Sequence, residues 1–116
     1  RGHTHSLDSV LRLLKVRGES LYPEFRPGDY VLILRPSFPG LKIKVGDTIA
    51  FDQPRYGMLL KRVKEVLESG RSFDVRGSQI ASTDSRNFGP VPRTRVLGKV
   101  IWHIKPQTDR QGPSIL

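Results

Sequence analysis

The sequence predicts a small, mostly β domain with little helix, and three features carry that prediction. Short apolar runs such as 30–34 and 96–104 are bounded by turn residues, the pattern of strands rather than helices. Gly 11 and Pro 9 punctuate the chain too often for long helices. The turn Gly-Asp occurs at 28–29 and again at 46–47, each time just before an apolar run, so the neighbouring segments read as an antiparallel sheet.

Taken in order, residues 1–13 form a lead-in, or the stub of an anchor lost upstream. Its latter part could start a short helix capped by Ser6 or Asp8, or begin the first strand, which reads as 13–16. Next comes Gly18-Glu19-Ser20-Leu21-Tyr22-Pro23. Gly18 permits dihedrals closed to other residues, and Pro23 holds Tyr22 extended. Such a turn either presents the Ser20 hydroxyl at the lip of a sheet or simply caps itself. Strands follow at 30–34 and 48–51, and then at 58–66. In the last of these, period-two alternation puts Leu59, Lys61 and Val63 on one face and Met58, Leu60 and Arg62 on the other. A further strand spans 71–76. Residues 77–92 read as a long polar loop, and loops of that length in compact domains usually carry function. A final strand, 96–104, closes the sheet, and 105–116 is a polar tail. The organisation is therefore a lead-in over 1–13, one domain over 14–104 and the tail.

Composition narrows the chemistry. With 116 residues and 36% hydrophobic, the core must be modest. No cysteine is present, which excludes disulfides and thiolate metal sites. His3 and His5 lack further ligand-type neighbours, so no metal and no cofactor is expected. The net charge of +9 favours anionic partners, such as a lipid surface or an acidic substrate. Nucleic acid is disfavoured, because the basic residues are scattered and aromatics for base stacking are few. No run approaches the ~20 apolar residues that span a bilayer.

A nucleophilic Ser20 needs a base. His103 lies in the last strand with no evident carboxylate partner, and His3 and His5 lie in the lead-in, which sets a Ser-His-Asp triad aside. A lysine is the alternative. Its amine is a base only when neutral, and the free side chain titrates near ~10.4. Service at neutral pH asks the surroundings to destabilise the ammonium form by roughly 4 kcal/mol, which burial among apolar groups can do. Lys61, between Leu59 and Val63 on its face, is the best-placed candidate; the pattern equally allows a solvated strand lysine. In the 77–92 loop, Asp84 and Arg86 could pair, as a surface ion pair of small value on composition alone, and Ser82 could bond a neutral lysine.

These motifs occur in one order: Gly18-Glu19-Ser20-Leu21-Tyr22-Pro23, the two Gly-Asp turns, Lys61-Arg62-Val63, and Ser82-Thr83-Asp84-Ser85-Arg86 with Gly89-Pro90-Val91-Pro92. Over about 14–104, that order and spacing resemble the type I signal peptidase family of Ser-Lys endopeptidases. The short members are most alike, such as nickel-type superoxide dismutase maturation proteases and mitochondrial inner-membrane peptidases. The resemblance implies the mostly β signal-peptidase domain, shared with LexA-type repressors. It implies Ser20 as nucleophile, Lys61 as general base and Ser82 as the hydroxyl that positions the lysine, with Asp84 and Arg86 holding the loop. The expected partner is a protein carrying a leader or pro-segment. With an upstream anchor the domain would lie on the extracytoplasmic face of a membrane; without one it would be soluble and cytoplasmic. Leu21 stands where the family usually has methionine, and Gly77-Ser78-Gln79 where it usually has Gly-Asp-Asn. Gly18 replaces a serine that donates to the oxyanion in some bacterial members, leaving that task to backbone amides. Two other readings fit the same fold: a LexA-like self-cleaving switch, and a non-catalytic basic binding module. The first is weakened because neither Ala50 nor Ala81 precedes a glycine.

Overall fold

Alternation and turn chemistry are realised as a single antiparallel sheet. The computed structural model describes residues 10–18, 21, 24–78 and 83–106. Within them, strands β1 (Leu11–Lys15), β2 (Tyr30–Leu34), β3 (Thr48–Gln53), β4 (Gly57–Leu67), β5 (Ser72–Arg76), β6 (Val91–Pro92) and β7 (Val96–Ile104) pair in the order β1-β2-β7-β3-β4-β5-β6. The mostly β class expected from the sequence is what is found, in one small domain.

β3 is the centre. Its first four residues, Thr48, Ile49, Ala50 and Phe51, are all buried, so both of its faces are covered. Alternation sends Ile49 and Phe51 to one side, where they pack with Ile43, Val63, Phe73, Val75, Val91 and Val96. Ala50 points to the other, joining Leu14, Leu21, Phe25, Val31 and Ile33.

Two Gly-Asp turns feed this sheet by the same geometry. In each, a tight turn puts glycine at positive φ, +97° for Gly28 and +95° for Gly46. The aspartate Oδ2 then accepts from the amide three residues back, Arg26 N at 3.0 Å and Lys44 N at 2.7 Å. Each turn also exchanges two backbone bonds with a valine on another segment. Val16 donates to Asp29 O at 2.7 Å and accepts from Gly28 N at 2.9 Å; Val63 donates to Asp47 O at 2.8 Å and accepts from Gly46 N at 2.9 Å.

Four differences from the sequence expectation have physical causes. β1 begins at Leu11, because residues 11–15 pair with β2 from Leu11↔Leu34 to Lys15↔Tyr30, so 11–13 are part of the sheet rather than a lead-in. Val16 leaves the strand to bond the Gly-Asp turn. The 77–92 segment is not all loop: a one-turn helix, α1 (Ser85–Phe88), forms under Asp84 as N-cap, and Val91 pairs with Phe73. Lastly, a bulge in β7 opposite Leu32 and Ile33 shifts the pairing from Ile33↔Val100 to Leu32↔Trp102. The extra residue, Ile101, reverses the alternation beyond it, turning His103 inward beside Val31 and Trp102 outward.

Gly98 lies in β7 where a Cβ would meet Leu34 O at 2.7 Å and Ile33 Cδ1 at 2.9 Å. Backbone cannot yield as a side chain can. Gly98→Ala is expected to destabilise the domain by about 1–3 kcal/mol, measured as a lower denaturant midpoint with unchanged slope.

Candidate active site

Lys61 is the deciding side chain. It stands on β4 opposite Ile49 of β3, on the face it shares with Leu59 and Val63, and is only 2% exposed. The solvated alternative is thereby excluded. Loss of water disfavours the ammonium form and lowers the Lys61 pKa; the negative charge of Asp84 opposes this and the positive charge of Arg86 reinforces it.

Asp84 is fully buried, so its pair with Arg86 is more than the surface contact that composition implied. Its carboxylate collects four bonds. Oδ1 accepts from the Arg86 amide at 3.0 Å and Arg86 Nε at 3.0 Å, and Oδ2 accepts from Arg86 Nη2 at 2.8 Å and the Gly77 amide at 3.2 Å. Its own amide donates to Asn87 Oδ1 at 3.1 Å, which closes a capping box over α1. Burial alone would raise the Asp84 pKa, but the bonds from Arg86 and Gly77 outweigh it and hold the carboxyl at about 2. Because the value is depressed, the resulting stability is present above the ordinary value of 3.8 and is lost as pH falls toward 2. Ser85 Oγ accepts from Val75 N at 2.9 Å, tying α1 to β5. Gly77 directly follows β5, and the β4–β5 ladder reaches Arg62↔Arg76, so the Asp84 hub sits next to the register position of Lys61.

Ser20 and Ser82 lie outside the described residues. Their chain neighbours are within them. Gly18 takes φ +126°, a conformation a serine there would adopt only under strain, so the chain's departure at this position matches its backbone. Gly18 and Leu21 both line a largely apolar groove of about 350 Å³, together with Val16, Phe25, Ala50 and the β4 residues Met58, Leu59 and Leu60. The groove thus runs between the segments flanking position 20 and the three residues that lead into Lys61.

The sequence reading of His103 needs correction. Its Nε2 lies 2.7 Å from Oδ2 of Asp29, a carboxylate only 1% exposed. The two residues are far apart in the chain, and the β7 bulge that turns His103 inward has no sequence signal. In a Ser-His-Asp triad the carboxylate holds Nδ1 and leaves Nε2 for the serine. Here Asp29 takes Nε2, so this is not the geometry of a triad base, and the lysine remains the candidate.

No family model matches the chain. Among curated proteins it is similar to the mitochondrial ATP-independent inner membrane protease subunit 1b of Arabidopsis thaliana, with 30% identity over 103 residues. The match takes in 84% of this chain and 60% of the relative, so the chain spans somewhat over half of that protein's length. This relative supports the type I signal peptidase family. Among the described residues, no helix is long and apolar enough to cross a membrane.

The opposed influences of Asp84 and Arg86 on Lys61 make a direct prediction. In Arg86→Gln the buried carboxylate keeps its backbone donors but loses its counter-charge, so the Lys61 ammonium becomes easier to keep. The Lys61 pKa should rise, and the neutral fraction at pH 7 should fall by roughly tenfold. Nitrogen-detected NMR titration of the Lys61 amine, assigned with Lys61→Arg, measures it in both proteins.

Proposed function

We propose that this chain is the catalytic domain of a serine endopeptidase of the signal-peptidase type that removes a leader or pro-segment from a protein substrate. The observation that carries the reading is the buried amine of Lys61, one residue beyond Leu60, which lines a groove bordered also by Gly18 and Leu21 on either side of Ser20. A lysine with its pKa lowered by desolvation is costly to a fold and suited to one task, accepting a proton near neutral pH.

In this reading the Ser20 hydroxyl attacks the scissile carbonyl as its proton passes to Lys61. The oxyanion is stabilised by backbone amides, the Ser20 amide among them, since Gly18 offers no side-chain donor. The Lys61 ammonium then protonates the leaving amine, which departs and leaves an acyl-enzyme. Water, giving its proton to the neutral Lys61, attacks the ester and frees Ser20. Ser82 orients the lysine, and Asp84 with Arg86 holds the loop that carries Ser82. The apolar groove suits an extended segment with small side chains before the cleaved bond. The named relative favours the inner-membrane peptidase type over superoxide dismutase maturation, which stays the narrower alternative. Ser20→Ala and Lys61→Met are each expected to lower cleavage of a leader-bearing substrate by at least a thousandfold while leaving the melting cooperative. Full activity in folded Ser20→Ala would refute the mechanism. A binding module would show no cleavage in any variant.

We also propose that the domain works against a membrane. The relative is named for an inner membrane, and the outer face of β1, β2 and β7 is apolar where solvent would favour polar groups. Leu13, Tyr30, Trp102 and Ile104 lie exposed there in adjacent rows, Leu13 and Trp102 flanking Leu32, and Lys15 and Ile104 flanking Tyr30. Tyrosine, tryptophan and lysine together suit the headgroup region. Trp102 is the sole tryptophan, so its fluorescence reports on this face alone. Vesicles containing anionic lipid should shift its emission to the blue, less so at high salt, and Trp102→Ser should weaken binding about tenfold. An unshifted spectrum would remove the membrane part of the proposal.

A further inference from the structure

The two Gly-Asp turns share a backbone geometry but differ in what meets the carboxylate. Asp47, partly open to solvent, pairs with Lys99 Nζ at 3.1 Å, a flexible partner that also bonds Lys42 O at 3.2 Å. Asp29 is sealed from solvent and meets a planar ring held on a second side: the His103 imidazole stacks on Phe25, with centroids 4.3 Å apart and planes 23° from parallel. Within its own turn Asp29 accepts from the Arg26 amide, and His103 adds a partner from a distant strand. A buried carboxylate that loses one of its partners is costly, so His103 fixes the turn rather than decorating it.

Each contact of His103 leads to one side of position 20. Through Asp29 it reaches Val16, whose N–H and C=O are both taken by the turn. Through the Phe25 ring it reaches Leu21, whose carbonyl accepts the Phe25 amide at 3.0 Å. Val16, Leu21 and Phe25 all line the groove. We propose that His103 is a positioning residue, holding the segments before and after Ser20 at a fixed separation and so setting the shape of the groove between them. Only the step from that shape to catalysis rests on the peptidase reading; the clamp itself does not.

The same molecule contains its control. Amide hydrogen exchange in the full chain compares Val16 and Gly28, clamped by the Asp29 turn, with Val63 and Gly46, clamped by the Asp47 turn. His103→Leu removes the donor at similar bulk, and protection of Val16 and Gly28 should fall by roughly tenfold or more while Val63 and Gly46 keep theirs. His103→Gln retains an N–H donor of comparable reach and should restore that protection. If His103→Leu does not fold, His103→Asn, whose donor is too short to reach, takes its place. The clamp is overturned if protection at Val16 and Gly28 is unchanged, if it falls equally at all four amides, or if glutamine fares no better than leucine.

The catalytic consequence is read separately, with an internally quenched peptide carrying alanine before the scissile bond. His103→Leu should lower kcat by roughly tenfold or more with a smaller change in KM, and His103→Gln should recover most of it. Lost protection with unaltered kcat would overturn the positioning role. Should the unaltered protein cleave no peptide, the peptidase reading fails and the exchange data still decide the clamp.

Discussion

Keeping one amine dry governs the arrangement of this domain. Lys61 projects from β4 into the face it shares with the larger apolar cluster, and water is kept from it by the same packing that makes the core. An unscreened carboxylate nearby would undo this by favouring the ammonium form. Asp84 is that carboxylate, and the Arg86 guanidinium occupies both its oxygens in a fork that largely cancels its field. The capping box over α1, the bond from Gly77 and the tie from Ser85 to Val75 all keep this neutralised pair in place. The short helix is therefore a support for an electrostatic balance, which explains a helical turn in a segment whose composition reads as loop.

Much of the fold was legible because period-two alternation and turn residues agree. The strand limits at Tyr30–Leu34 and Val96–Ile104 match the sequence reading, and the face that Lys61 shares with Leu59 and Val63 follows from alternation alone. What was illegible has a common cause. In β4 the register shifts between Val63 and Glu65, and the extra residue returns Val66 to the face of Val63; in β7, Ile101 does the same for His103. Bulges of this kind leave no mark in the residue pattern, so strict alternation places His103 outside and Trp102 inside, the reverse of the structure. The Asp29–His103 contact was hidden for that reason. The burial of Asp84 was hidden for another: a polar loop is read as exposed, and only the tertiary fold reveals an aspartate used as an internal hub.

The paired Gly-Asp turns show one local solution serving two purposes. Both take glycine at positive φ and both clamp a valine by two backbone bonds. Around Asp47 the clamp fixes Val63, two residues past the lysine; around Asp29 it fixes Val16, ahead of the serine segment. Each aspartate is met from the same strand, by Lys99 and His103 of β7. One strand thus braces both turns, with a solvent-tolerant ion pair at one end and a sealed, stacked imidazole at the other.

Among the described strands that one is synthesised last, yet it lies between β2 and β3. Until it arrives, the hairpin of β1 and β2 has no ladder to β3, and the central strand has one open edge. A nascent chain emerging from the ribosome therefore holds two unfinished pieces whose joining must wait for residues close to 104. Contacts so distant in sequence close slowly and leave edges exposed meanwhile. The groove residues Val16, Leu21 and Phe25 are tied to His103 by those same contacts, so assembly order bears on the cleft as well: its walls are braced only after β7 has docked.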